Sequence, residues 1–142
     1  MILNPGSGDA MRCFHRDFKF ELSDEWWDEA GMRGFIPAQK SYYADLKAFL
    51  GWTVYEIRVD EVEPVRRQLS HGVFNDDAET GRSAKDRVLD ILRGFTNGAA
   101  IPPVDVIQVQ GADYRYKLTH GAHRFYCSVA AGFSYIPARI VE

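Results

Sequence analysis

The run Thr119-His120-Gly121-Ala122-His123-Arg124 places two imidazoles and a guanidinium around one glycine. Gly121 lets backbone approach a ligand closely and adopt dihedrals closed to other residues. An apolar segment follows it and reads as a helix over residues 123–131, with Gly132 as its C-terminal stop. Such a helix turns its first backbone N–H groups and its positive dipole end toward the loop, which is the geometry of an anion site. Cations are disfavoured at a helix N-terminus unless an anion is shared there. The clustering of His120, His123 and Arg124 therefore points to a phosphate. The competing account is purely structural: the histidines cap the helix and Arg124 pairs with a surface acid.

Other reactive side chains are scattered. Acids that could act as a base or as Mg²⁺ ligands are Asp76, Asp77 and Glu79 in a polar loop, and Asp105 on a strand. Solvated loop acids are the default for the first three, and Asp105 can equally sit on an exposed strand face or cap a neighbour. No metal site is assigned. His15 and His71 are isolated. The two cysteines, Cys13 and Cys127, lie far apart in sequence, too few for a disulfide framework or a four-cysteine zinc site. The apolar neighbours of Cys127 favour a buried structural thiol.

The elements that must position these groups can be read from periodicity. Residues 18–22 alternate as a strand, and Ser23 caps a short helix over residues 24–30 that Gly31 stops. Residues 31–39 form a loop, and residues 41–50 are irregular or partly helical. Residues 53–59 alternate cleanly and are β-rich. Residues 62–69 are interrupted by Pro64, and residues 72–83 are a turn-rich loop. The clearest helix covers residues 83–95, with Ser83 as N-cap, a stripe of Val88, Leu89, Ile91, Leu92 and Phe95, and Gly94 or Gly98 at its end. After Pro102-Pro103, residues 104–109 form a buried strand, residues 114–118 its hairpin partner, and residues 136–141 a last strand.

At 142 residues with 46% hydrophobic and 26% charged side chains, the chain is the size of one ordinary globular domain. A net charge of -3 excludes a bulk basic field for nucleic acid, so nucleic-acid binding is not expected. No apolar run reaches the roughly 20 residues of a membrane span. The first residues show no signal-peptide pattern, and a reducing cytoplasm is the expected compartment.

Ile101-Pro102-Pro103-Val104-Asp105-Val106, a hairpin, Gly121-Ala122-His123-Arg124, Gly132 and Ile136-Pro137-Ala138 occur in the order of the ParB/sulfiredoxin superfamily, which residues 54–142 resemble. The resemblance implies an α+β fold, a small mixed β-sheet with flanking helices. It also implies that the glycine loop grips nucleotide phosphates, with Gly121 as the close-approach glycine and His123 and Arg124 as phosphate contacts. Arg87 takes the place of a nucleotide-binding lysine on the preceding helix, although the hydroxyls expected beyond it are replaced by Asp90 and Gly94. Arg66 and Arg67 follow Pro64, where members often border the phosphates; they read equally well as solvated surface arginines. Ala122 stands where sulfiredoxins carry their nucleophilic cysteine, which argues against that activity. The partitioning proteins' helix-turn-helix unit does not follow, so operator binding in their manner is not expected.

The expectation is thus a short flexible leader, residues 1–11, and a single domain, residues 12–142, with an aromatic-rich extension over residues 12–53. Its ligand is a nucleoside di- or triphosphate (ATP or CTP among them) or another phosphate, with Mg²⁺ accompanying it, and its activity phosphotransfer or nucleotide hydrolysis. The alternatives are a non-enzymatic module that binds a protein partner through the extension, and a nuclease-like protein. Trp26, Trp27, Phe35, Tyr42, Tyr43, Phe49 and Trp52 dominate the extension. They read mainly as cover for the core, with a substrate or partner platform next to the nucleotide site as the alternative, and some are exposed because adjacent pairs cannot all face inward.

Overall fold

The site loop hangs from a five-stranded mixed sheet whose strands come from distant parts of the chain. The computed structural model describes residues 10–16, 18–64, 73, 74, 76, 79–111 and 113–141. Two strands at the start, β1 (Ala10–His15) and β2 (Phe18–Ser23), pair as a separate antiparallel hairpin. A short helix α1 (Asp24–Glu29) follows, and Ser23 Oγ accepts from the Trp26 N–H at 3.3 Å as the expected N-cap. The sheet comprises β3 (Val54–Arg58), β4 (Val62–Glu63), β5 (Val104–Gln108), β6 (Tyr116–His120) and β7 (Tyr135–Ile140), in the order β3-β7-β5-β6-β4. β7 runs parallel to β5 and antiparallel to β3, and β6 runs antiparallel to β5. Helices α2 (Ala84–Asn97) and α3 (Ala122–Ala131) pack against each other.

The architecture is the expected α+β arrangement, a small mixed sheet with flanking helices. The order implied by the resemblance also holds: Pro-Pro strand, hairpin, glycine loop, helix, Ile-Pro-Ala strand are β5, β6, α3 and β7. α2 is capped by Ser83, whose Oγ accepts from the Asp86 N–H, and closed by Gly98 in the left-handed region. Its stripe of Val88, Leu89 and Leu92 meets Phe125, Tyr126 and Cys127 of α3, while Val104, Val106, Ile136 and Ala138 complete the core from the sheet.

Two differences from the sequence reading have physical causes. β1 begins at Ala10, inside the segment expected to be a leader; residues 1–9 lie outside the described residues. Its inward residues are Cys13 and His15, so no run of large apolar side chains marks it. His15 is buried and donates its Nε2–H to the Val62 carbonyl oxygen at 2.7 Å, tying the hairpin to β4. β6 is shifted two residues onward from expectation, to Tyr116–His120, because the turn before it is longer. That shift brings His120 to the strand end, opposite Asp105.

The aromatic extension is both cover and surface. Tyr42 is buried and stacks on Phe95, while Tyr43, Leu46, Leu50 and Trp52 are exposed. The segment is stitched to the core by backbone: Tyr43 O accepts from Ile101 N–H at 2.9 Å, and Asp45 N–H donates to Ile101 O at 2.8 Å. No helix among the described residues is long and apolar enough to cross a membrane.

Candidate functional site

Gly121 has φ +101°, a conformation side-chain-bearing residues rarely adopt. Space forbids a side chain there as well: an added Cβ would lie 2.7 Å from Val104 Cγ1 and 3.1 Å from Arg124 Nη2. The glycine lets the chain turn directly from β6 into α3. It serves as N-cap without a side chain, and no side chain caps α3. The Phe125 N–H, donating to Gly121 O at 3.0 Å, closes the first turn of the helix. The polar end of α3 is thus directed at a surface cleft rather than covered by its own chain.

That cleft has a volume of about 1210 Å³, generous for a small ligand. Arg87, His120, Gly121, Ala122, His123 and Arg124 all line it. The structure therefore brings together, across α2, β6 and α3, six positions singled out from sequence. Arg66 and Arg67 lie outside the described residues, as do His71 and Asp77.

Arg124 is fixed by the Pro-Pro segment. Its Nη1 donates to the carbonyl oxygens of Pro102 at 3.1 Å and Pro103 at 2.9 Å. Tyr42 donates its hydroxyl to the same Pro102 oxygen at 2.7 Å, so the extension shares the anchor of the loop arginine. Prolines suit this job, since they cannot extend the ladder and their carbonyls remain to accept. Burial pulls the Arg124 pKa below the ordinary arginine value; Tyr42 and Asp105 oppose this and the charge of Arg87 adds to it. A guanidinium remains protonated in any case. Two like charges thus address one space at a helix N-terminus, an arrangement an anion would relieve.

His123 differs from the two arginines. It is 7% exposed, and its ring lies 5.6 Å from Phe74, so its imidazole is part of the packing beneath the cleft as well as of its lining. His120, by contrast, is exposed.

The acids occupy different stations. Asp76 accepts from the Ala84 N–H at 2.6 Å and so helps cap α2. Glu79 is exposed. Asp105 lines the cleft but is engaged by Arg139 in a two-pronged ion pair, Nε to Oδ1 at 3.0 Å and Nη2 to Oδ2 at 2.8 Å. Asp90, also lining, is paired with Arg82. Each carboxylate that lines the cleft among the described residues is thus paired with an arginine. Among the described residues no cluster of three His, Cys, Asp or Glu could hold a metal.

Both thiols are buried. Burial pushes Cys13 up to about 11, with Asp24 adding to it, and raises Cys127 further, with Cys13 adding to it. Neither has the thiolate character of a nucleophile. Sequence reasoning missed Arg139 and named Phe49 only as one of the aromatics of the extension. Arg139 faces Asp105 because β5 and β7 are parallel neighbours in that register, a fact strand order alone supplies. Phe49 lies in an irregular segment with no periodicity to read.

No protein-family model and no curated protein matches the chain. Among solved structures, the chain is similar to a sulfiredoxin from Arabidopsis thaliana. The identity is 19%, the match covers 63% of this chain and 85% of that one, and the TM-score is 0.47.

Proposed function

We propose that the protein binds a phosphate-bearing ligand, a nucleotide in the first instance, in the cleft at the start of α3, as a ParB/sulfiredoxin-like protein that is not a sulfiredoxin. The observation that carries this reading is the convergence of Arg87 and Arg124 on the uncapped first turn of α3, across a glycine whose conformation admits no side chain. Arg124 presents a guanidinium fixed by two carbonyls, and Arg87 supplies a second charge from α2. His120 stands exposed at the end of β6 and adds a third donor. Four arginines line the cleft among the described residues, Arg82, Arg87, Arg124 and Arg139, against two carboxylates, Asp90 and Asp105, a balance that fits an anion. Mg²⁺, if it takes part, arrives bound to the ligand's phosphates.

Thermal unfolding with ATP, ADP, CTP and GTP, each with and without Mg²⁺, tests the reading. A ligand held only by the native state, at a hundredfold excess over its Kd, adds about 2.7 kcal/mol of stability. Arg87→Ala should weaken that gain and Arg124→Ala should remove it. A folded protein indifferent to all four nucleotides refutes the proposal.

A second role, binding a protein partner through the extension, is favoured by the exposure of Tyr43, Leu46, Leu50 and Trp52 within ten residues of one another. Leu50→Ser should leave nucleotide stabilisation intact if that role is separate.

A further inference from the structure

Phe49 lies outside the part of the chain that resembles the superfamily, yet its side chain lines the cleft. It ends a single 3-10 turn, Lys47–Phe49. Several contacts fix that turn. Asp45 Oδ1 accepts from the Lys47 N–H at 3.1 Å, and Ala44 bridges to Ile101. The Arg139 guanidinium lies 5.0 Å from the Phe49 ring centre and 4.5 Å from that of Trp52. Arg139 is itself held by Asp105. A half-buried aromatic ring is therefore tied to the sheet through a cation–π contact and an ion pair.

The ring does not stand alone. Ala48, Ile91 and Ile101 line the same cleft. Ile91 follows Arg87 by four residues on α2, so this apolar surface begins one turn from a guanidinium. A bare anion gains nothing from an apolar wall. A ligand with a planar apolar group gains by covering it, and aromatic rings reward a flat partner most.

We propose that Phe49 is a specificity-determining residue of the cleft: it packs against a planar aromatic group carried by a phosphate ester whose phosphate is held by Arg124. The proposal rests on the phosphate-binding reading and adds the selection of the organic part. It assigns the extension a role in ligand choice as well as in covering the core.

Calorimetric titration of the full chain with ADP, CDP, GDP and UDP, and with pyrophosphate and ribose 5-phosphate, separates the two. At least one nucleoside diphosphate should bind on the order of tenfold more tightly than pyrophosphate. Phe49→Ala should erase that advantage and leave the pyrophosphate Kd unchanged, whereas Phe49→Trp should keep it. Phe49→Leu fills the volume without the ring and should behave as Phe49→Ala; it serves alone if the alanine variant does not fold by circular dichroism. Equal affinities for pyrophosphate and every nucleoside diphosphate overturn the proposal. So does an equal weakening of all ligands, or no change, in the Phe49 variants. In those cases loss of pyrophosphate binding in Arg124→Ala still upholds the phosphate site. If nothing binds to the wild-type chain, the phosphate reading fails and this proposal falls with it.

Discussion

Replacing Gly121 by alanine should cost far more than a glycine-to-alanine change usually does. Two separate penalties act. The first is backbone: at φ +101° a Cβ meets the following carbonyl, at about 1–2 kcal/mol. The second is packing. The new methyl would sit 2.7 Å from Val104 Cγ1, and Val104 is fully buried with nowhere to retreat. Overpacking of this kind costs about 1–3 kcal/mol. Together the change should lower stability by about 2–5 kcal/mol, a drop of roughly 5–20 °C in Tm for a chain this long. Gly98 supplies the internal control. It is also left-handed, at φ +68°, but nothing lies within 4 Å of its added Cβ. Gly98→Ala should therefore show the backbone penalty alone. Urea unfolding followed by circular dichroism measures both. A double variant with Val104→Ala should be less destabilised than the two single changes summed, because the shortened side chain makes room for the methyl. Equal losses in Gly121→Ala and Gly98→Ala would refute the close-approach argument.

Other expectations concern neighbouring parts of the molecule. Ser128 is fully buried and its hydroxyl finds no hydrogen-bond partner among the described residues. Ser128→Ala should raise stability by about 1–2 kcal/mol in urea unfolding. The hydrogen bond from Ser41 lowers the Glu56 pKa, Lys40 helps, and burial opposes them. A lowered carboxylate stabilises the fold above its unfolded value near 4.3 and loses that contribution as pH falls through its folded value. The stability gap between wild type and Glu56→Gln should thus shrink on going from pH 6 to pH 3, and a constant gap contradicts the assignment. Cys13 and Cys127 should resist a thiol reagent at pH 8 in the native protein and react fully in urea; rapid native labelling of Cys127 would revive it as a nucleophile. Tyr42→Phe removes the hydroxyl from the Pro102 oxygen and should cost about 1 kcal/mol, with a weaker nucleotide-induced shift because Arg124 shares that acceptor.

How much of this was visible in the sequence depends on whether a signal was local. The helix over α2 was legible because its cap and apolar stripe sit within one window, and Ser83 and Val88 to Phe95 fall where expected. The glycine loop was legible for the same reason, since Gly121 and the charged residues around it are adjacent. Its surroundings were not. Arg139 and Asp105 are 34 positions apart, and only the pairing of β7 with β5 sets them side by side. β1 escaped notice because it buries Cys13 and His15, polarisable or titratable residues that an apolar alternation does not count. His123 shows the opposite failing: its type and position mark it as a cation at the helix start, but proximity in sequence says nothing about the Phe74 ring that packs beside it.

The extension and the glycine loop are coupled through two small devices, and this bears on why a chain would keep an aromatic segment beside such a site. The Pro102 carbonyl accepts from Tyr42 of the extension and from Arg124 of the loop. Arg139 joins Asp105 of the sheet to Phe49 and Trp52. In both, a polar group of the core scaffold is shared with a ring from residues 42–52. A cover needed only for burial would be satisfied by apolar contact; it would have no reason to share an acceptor with the loop arginine or to stack on the partner of a cleft carboxylate. These shared contacts make the wall of the cleft and the position of its fixed cation depend on the same segment. A change at Tyr42, Phe49 or Trp52 should therefore alter ligand binding before it unfolds the sheet, and the order of those two losses distinguishes a segment built into the site from one that only shields the core.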